Sequence, residues 1–241
     1  MNKINQLNSE LIDQIAAGEV IDRPASVVKE LIENSLDANA NLIEVHITRG
    51  GHDLIQICDN GCGINEEDIR LAFKRHTTSK IEILEDLNDI KTLGFRGEAL
   101  PSIASVSRMS ARSSLDGKTT FEIIIHGGKE ISFEPKVSLQ GSTFKVKNLF
   151  YNIPARRKFL KKSETEQRNI NKIMRSFMLS RPDVAFRLIS NNKTVYDVKV
   201  QELSKRISSI YGSAFDKNIL TVKMEKEPYK ISGFVGNLSL V

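Results

Sequence analysis

Between Pro24 and Ala38 the apolar residues recur at helical spacing and fall on one side of the segment. At ~100° per residue, Val27, Val28, Leu31, Ile32 and Leu36 share one arc, and Glu30, Asn34 and Asp37 lie within about 60° of each other on the opposite arc. Pro24 suits the first turn, where the N–H it lacks would go unpaired anyway. An apolar arc of this width needs a second layer to cover it. The polar arc has two readings: the solvated face of a surface helix, or carboxylates and an amide gathered to hold a metal ion and a water. Glu33 lies close on the same arc, so helix geometry alone does not choose between the two glutamates.

Beyond Ala38 the period changes from helical to alternating. Ile43, Val45 and Ile47 alternate with Glu44, His46 and Thr48, Leu54 to Cys58 is nearly all apolar, and Gly50-Gly51 separates the runs, which predicts a hairpin in a covered sheet. Upstream, Leu11, Ile12 and Ile15 predict a short helix from Ser9 with Gly18 as its terminator. Downstream, Asn65 is placed to cap a helix carrying Ile69, Ala72 and Phe73 inward. A short helical piece follows at Ile83 to Leu87, and Leu100, Ile103 and Ala104 again have helical spacing. Alternation at Phe121, Ile123, Ile125, Phe144 and Val146, with turns at Asp116-Gly117 and Gly127-Gly128, predicts an antiparallel meander from Ser107 to Val146. Ser163 and Glu166 read as a capping box before Ile170, Ile173, Met174, Phe177 and Met178. Strands at Val184 to Ile189 and Thr194 to Val198 flank an Asn191-Asn192 turn. These elements make residues 1–200 one domain. A helix from Leu203 to Tyr211, stopped by Gly212, and strands at Ile219 to Met224 and Tyr229 to Val235 make 201–241 the incomplete start of a second.

With 241 residues and 40% hydrophobic content the chain can bury a real core. No apolar run reaches the ~18 residues that span a bilayer, and Met1 to Glu10 is too polar for a signal peptide, so no membrane partner and a cytoplasmic address are expected. Cys58 and Cys62 have no second pair to complete a metal set and read as structural thiols. His46, His52, His76 and His126 sit in no metal-binding or nucleophile-activating spacing, which leaves no serine or cysteine hydrolase in view.

Alternation places Asp59 on the side of Ile55 and Ile57, so a carboxylate emerges on the buried face at a strand end. It is either a turn-former in Asp59-Asn60-Gly61 or an acceptor for the exocyclic amine of a purine, with Gly61 and Gly63 letting the backbone approach the base. Gly94 to Gly97 precedes a helix, where free N–H groups favour a phosphate. Gly117-Lys118-Thr119 imitates the end of a Walker A loop, but Arg112 stands where its first glycine belongs. Thr77-Thr78-Ser79-Lys80 suits a mobile lid or a plain surface loop. Arg156, Arg157, Lys158, Lys161 and Lys162 put five cations in seven residues, interrupted by Phe159 and Leu160 as anchors into the core. The run is a solvated basic face or a binder of nucleic-acid phosphates.

Taken in order, Gln14 to Val20, Arg23 to Leu31, Glu33 to Ala38, Asp59 to Ile64, Gly94 to Leu100 and Pro154 to Leu160 closely resemble the signatures of the MutL family of DNA mismatch-repair proteins, strongly to about residue 200. The N-terminal region of that family belongs to the GHKL (Bergerat) ATPases. The resemblance implies an α+β fold, a two-layer sandwich with a mixed, largely antiparallel sheet covered on one face by helices. A second α/β domain, of the kind found in ribosomal protein S5, would begin near the end of the chain. It implies ATP and Mg2+ as cofactors, with Glu30 as the general base and Asn34 as the magnesium ligand. Asp37 becomes a supporting or ribose-side residue beside Ala38. Asp59 would recognise adenine, with Gly63 beside it and Thr143 supporting through its hydroxyl. Thr77, Thr78, Ser79 and Lys80 would form the lid, and Gly94, Phe95, Arg96, Gly97, Glu98, Ala99 and Leu100 would wrap the phosphates.

The resemblance further implies a molecular switch of mismatch repair in which ATP closes the lid and pairs two N-terminal regions into a homodimer. Its partners would be the mismatch-recognition protein MutS, downstream repair proteins and, weakly and non-specifically, DNA. In the family a lysine of the second domain reaches the terminal phosphate, and that motif lies beyond Val241. The expectation is therefore nucleotide binding with weak hydrolysis, and no endonuclease site in this chain. Phosphotransfer by a histidine-kinase relative, a non-catalytic nucleic-acid module and a topoisomerase ATPase fragment are the alternatives.

Overall fold

Leu42–Thr48 (β1) and Leu54–Asp59 (β2) form the expected hairpin, closed by a 3-10 turn at Arg49–Gly51 whose three residues all have positive φ. It lies at the centre of the computed structural model, which describes residues 7–137 and 139–238. Six more strands extend the sheet: Arg108–Ser114 (β3), Thr120–His126 (β4), Lys129–Lys136 (β5), Gly141–Lys147 (β6), Ala185–Ser190 (β7) and Lys193–Val198 (β8). Their order is β5-β4-β3-β6-β2-β1-β7-β8, with β1 and β7 parallel and every other neighbouring pair antiparallel. The sheet is therefore mixed and largely antiparallel, as the sequence leads one to expect.

The expected meander is corrected in one respect. β3, β4 and β5 run side by side, but β6 returns across them to lie between β3 and β2, a Greek key rather than the fourth consecutive strand of a meander. That return brings Ser142 of β6 opposite Asp59 of β2.

Helices Ser9–Val20 (α1), Pro24–Asp37 (α2), Glu66–Leu71 (α3), Ala99–Ser105 (α4), Pro154–Phe159 (α5) and Ser163–Ser180 (α6) supply the covering layer. Ile43, Val45, Ile47, Ile55, Ile57, Phe144 and Val146 are buried beneath Val27, Val28, Leu31, Ile32 and Leu36 of α2 and Ile170, Met174 and Met178 of α6. Glu44, His46, Gln56 and Lys145, their alternates, are partly exposed on the other face. There His46 (2.6 Å) and Arg187 (3.0 Å) flank the Glu44 carboxylate.

Two local expectations fail, the first because of a residue far along the chain. Gly18 does not end α1, which continues to Val20; the Arg156 guanidinium fills the space where a Cβ at Gly18 would project. Ile12 and Ile15 are 47% exposed, and the side chain of Leu11 lies outside those described. The Ser163–Glu166 capping box does not form, because the helix begins one residue early: Lys162 is the N-cap, Ser163 bonds Glu164, and Glu166 is buried. The Glu166 carboxylate instead accepts from the Lys161 N–H and Asn169.

Leu203–Tyr211 (α7) matches its expected bounds and is followed by a short helix, Ala214–Asn218 (α8), that no local pattern announces. Arg206 of α7 is fully buried and donates to the Pro182 and Val184 carbonyls at 2.8 and 2.9 Å. Ile219–Lys226 (β9) and Tyr229–Gly236 (β10) form a separate two-stranded sheet. Among the described residues no helix is long and apolar enough to cross a membrane.

Candidate functional site

Asp59 ends β2 on its buried face. Its carboxylate accepts from Ser35 Oγ at 2.9 Å and from the Gly61 N–H at 2.9 Å. Burial pushes its pKa above the ordinary value; the bonds from Gly61, Ser35 and the Ser142 backbone pull the other way without cancelling it. The surrounding backbone is tight. A Cβ at Gly63 (φ 76°) would strike the Ser114 carbonyl, and one at Gly141 (φ 109°) would strike the carbonyl of Asp59 itself. Gly61 packs on Ala38 in the same way, and the Ala38 carbonyl accepts the Cys62 N–H at 2.9 Å. The result is a buried acceptor at the edge of a cradle that only glycine can line.

The polar arc of α2 continues from this point. Lys29 Nζ sits 2.7 Å from Glu33 Oε2 and 3.3 Å from Glu30 Oε1. One turn on, Lys80 Nζ is 3.0 Å from Asn34 Oδ1 and 2.6 Å from Asp37 Oδ2. Asp37 also accepts the N–H groups of Leu93 (2.9 Å) and Gly94 (3.3 Å). The segment before α4 is thus held on α2 by Asp37, and the loop carrying Lys80 is held there too. These two pieces also join each other: a Cβ at Gly97 (φ 63°) would meet the Thr77 carbonyl, and Glu98 pairs with Arg75 (3.2 Å) and His76 (2.9 Å).

A family model described as histidine kinase-, DNA gyrase B-, and HSP90-like ATPase matches residues 22–134. The MutL protein of Agathobacter rectalis is 47% identical over 238 residues, 98% of this chain and 37% of that protein. The MutL of Clostridium perfringens is 44% identical over all of this chain and 36% of its own length, so the chain spans well under half of these curated relatives. Among solved structures, the Aquifex aeolicus MutL ATPase domain complexed with ADP is 32% identical. It superposes with a TM-score of 0.69 over 85% of this chain and 73% of that one. The chain belongs to the MutL family.

The structure brings Asn34, Asp37, Lys80 and Gly94 together, sets Gly97 and Glu98 against the 75–77 stretch, gathers Ala38, Asp59 and Gly63 at the end of β2, and leaves Glu30 on the same arc of α2; other signature positions lie elsewhere. Thr143 does not support Asp59. β6 pairs Thr143 with Cys58 and Ser142 with Asp59, so alternation turns the Thr143 side chain to the opposite face of the sheet. The hydroxyl on the Asp59 face is Ser142, 2.8 Å from Ser113 Oγ, which in turn accepts the Ile64 N–H at 2.8 Å. Leu100 is buried in the core and seats α4, while Ala99 opens that helix. Thr77 turns its hydroxyl back onto the Leu71 and Lys74 carbonyls, Thr78 Oγ accepts the Lys80 N–H, and Ser79 is exposed. Phe95 and the exposed Arg96 lie against each other, 5.5 Å from guanidinium to ring centre.

The basic run divides. Arg156 reaches inward over Gly18 toward the Ile15 carbonyl at 3.5 Å, so it braces α1 and is not a free surface cation. Arg157, Lys158, Lys161 and Lys162 are exposed. Phe159, expected to anchor the run, is 79% exposed, and only Leu160 packs against the core. Ser35 and Ser142 are the site residues that sequence reading missed. Ser35 carried a signal, a hydroxyl standing on the apolar arc of α2, where it must find a buried partner.

Proposed function

We propose that this chain binds ATP and hydrolyses it as a conformational switch of DNA mismatch repair. The observation that carries the reading is the convergence on α2: the buried Asp59 acceptor on one side, Asn34 and Asp37 against the lid and the glycine-rich segment on the other, and Glu30 one turn back on the same polar arc. Asp59 accepts from the exocyclic amine of adenine, the one donor that base directs outward on this edge. Asn34 and Asp37 fit a hard cation, because their oxygens already surround the Lys80 ammonium; Mg2+ commonly takes one or two protein oxygens and completes its shell with phosphate and water. Magnesium, when bound, neutralises charge on the phosphates. Glu30 takes the proton of the attacking water, and the N–H groups from Phe95 to Ala99 are available to phosphate oxygens as α4 begins.

Isothermal titration of the chain with ATP and ADP, with and without Mg2+, tests the reading. Magnesium-dependent binding is expected, and Asn34→Ala weakens it at least about tenfold, the scale of one ligand to a charged group (~1.5 kcal/mol). A chain that binds neither nucleotide sinks the proposal.

Around that chemistry we propose the rest of the switch. ATP closes the 77–80 lid and orders the flanking loops, which favours a homodimer of N-terminal regions, and hydrolysis resets it. Turnover by this chain alone is weak, as the resemblance implies that a lysine of the second domain completes the phosphate contacts. Residues 201–241 begin that domain. MutS and the downstream repair proteins are its partners, and DNA is held by the exposed cations of α5 and its C-terminal flank. Replacing Arg157, Lys158, Lys161 and Lys162 by alanine is expected to flatten the salt dependence of DNA binding, by about 0.9 in slope for each phosphate the variant no longer neutralises. An unchanged slope places the DNA contact elsewhere.

A further inference from the structure

Lys80 reaches α2 from a segment in which Thr77 turns back onto the Leu71 and Lys74 carbonyls and Thr78 accepts the Lys80 N–H. Its ammonium is held by Asn34 Oδ1 at 3.0 Å and Asp37 Oδ2 at 2.6 Å, with 20% of the side chain exposed. Asp37 is more enclosed, at 8%, and its two oxygens also take the N–H groups of Leu93 and Gly94. Gly94 lies alongside: a Cβ there would stand 3.6 Å from the Lys80 nitrogen, at van der Waals distance. Two acceptor oxygens of this kind suit a hard cation, and a tethered ammonium is the cation the protein itself supplies. Two positive charges do not share a partly enclosed pair of oxygens, so a metal ion and Lys80 are alternatives there.

We propose that Lys80 is a positioning residue that occupies the cation-binding oxygens of Asn34 and Asp37 in the nucleotide-free protein, so that a divalent cation enters only by displacing it. The inference rests on the reading of Asn34 as a cation ligand. Entry of the cation and release of the Lys80 end of the lid are then one exchange. Asp37 keeps the Leu93–Gly94 segment in place throughout, because those two bonds come from backbone N–H groups that the exchange does not touch. The consequence is selectivity for the nucleotide complex: a bare divalent ion meets a competitor already seated, whereas an ion arriving with phosphates brings acceptors that receive the freed ammonium.

The test uses Mn2+ alone with the nucleotide-free chain, the unbound ion being counted by electron paramagnetic resonance. A donor pair occupied by a competitor for nine-tenths of the time or more loses that factor in affinity, so Lys80→Met is expected to bind Mn2+ at least about tenfold more tightly than the parent. Adding Asn34→Ala to Lys80→Met removes the gain. Lys80→Gln keeps a polar donor without the charge and is expected to follow Lys80→Met. Equal Mn2+ affinity in the parent and Lys80→Met overturns the proposal, and so does Lys80→Gln behaving as the parent. ADP binding, measured alongside, separates the two levels. A parent chain that binds ADP while Lys80→Met gains nothing refutes the role of Lys80 alone, and a parent that binds no nucleotide removes both readings.

Discussion

Glu30→Ala is expected to leave ATP binding unchanged and to lower single-turnover hydrolysis by about 10²–10⁴-fold, the range a positioned general base supplies. The single-turnover format matters because it reads chemistry even where steady-state turnover is weak. Glu33 is the control that gives the result meaning, since both carboxylates lie on the polar arc of α2. Lys29 distinguishes them: it grips Glu33 at 2.7 Å and Glu30 more loosely at 3.3 Å, and the Glu33 side chain is 13% exposed against 25% for Glu30. Glu33 Oε2 is already taken at close range by that ammonium and its side chain is the less open to water, so Glu30 has the more freely available oxygens for orienting an attacking water. Glu33→Ala should therefore lose much less hydrolysis than Glu30→Ala. Equal losses would assign the proton to the pair and overturn the assignment to Glu30.

What was legible in advance was whatever a short period or a long motif determines. α2, the β1–β2 hairpin, α7 and the Asn191-Asn192 turn follow from spacing and from residues that tolerate positive φ, all of which act locally. The capping box at Ser163 aside, the failures involve partners far along the chain. Gly18 resembles a helix terminator until Arg156 is known to lie over it. β6 reads as the next strand of a meander because nothing local records that its neighbours are β3 and β2. Thr143 is the natural choice for the hydroxyl beside Asp59, and a displacement of one residue sends it to the other face of the sheet. The motifs bring Glu30, Asn34 and Asp59 into one site. They carry no information on the Lys80 ammonium lying between Asn34 and Asp37, since that depends on where a loop comes to rest.

Asp59→Asn is expected to weaken adenine-nucleotide binding by about 10²-fold or more while making the protein more stable at neutral pH, because the same carboxylate serves binding and opposes folding. On the binding side, one oxygen of a buried charged acceptor becomes an NH2 donor facing the donor amine of the base, and a lost hydrogen bond to a charged group is worth ~1.5–3 kcal/mol before any repulsion is added. On the folding side, burial raises the pKa of Asp59 above its ordinary 3.8. Between that value and the raised one, the native protein holds a proton that the unfolded chain has released. Stability therefore falls as pH rises through the window, and above it Asp59 is charged and imperfectly compensated. Asparagine is neutral throughout, can still accept from Gly61, and leaves Ser35 its bond to the Leu31 carbonyl. Thermal melts at pH 7 and near pH 3.5, beside ADP titrations, give the comparison: the melting temperature of Asp59→Asn should exceed that of the parent at pH 7, and the excess should shrink as Asp59 protonates. A variant that binds ADP as the parent does would show that Asp59 is not the adenine acceptor. A lower melting temperature at pH 7 would mean that its bonds to Ser35, Gly61 and Ser142 outweigh the cost of burying its charge.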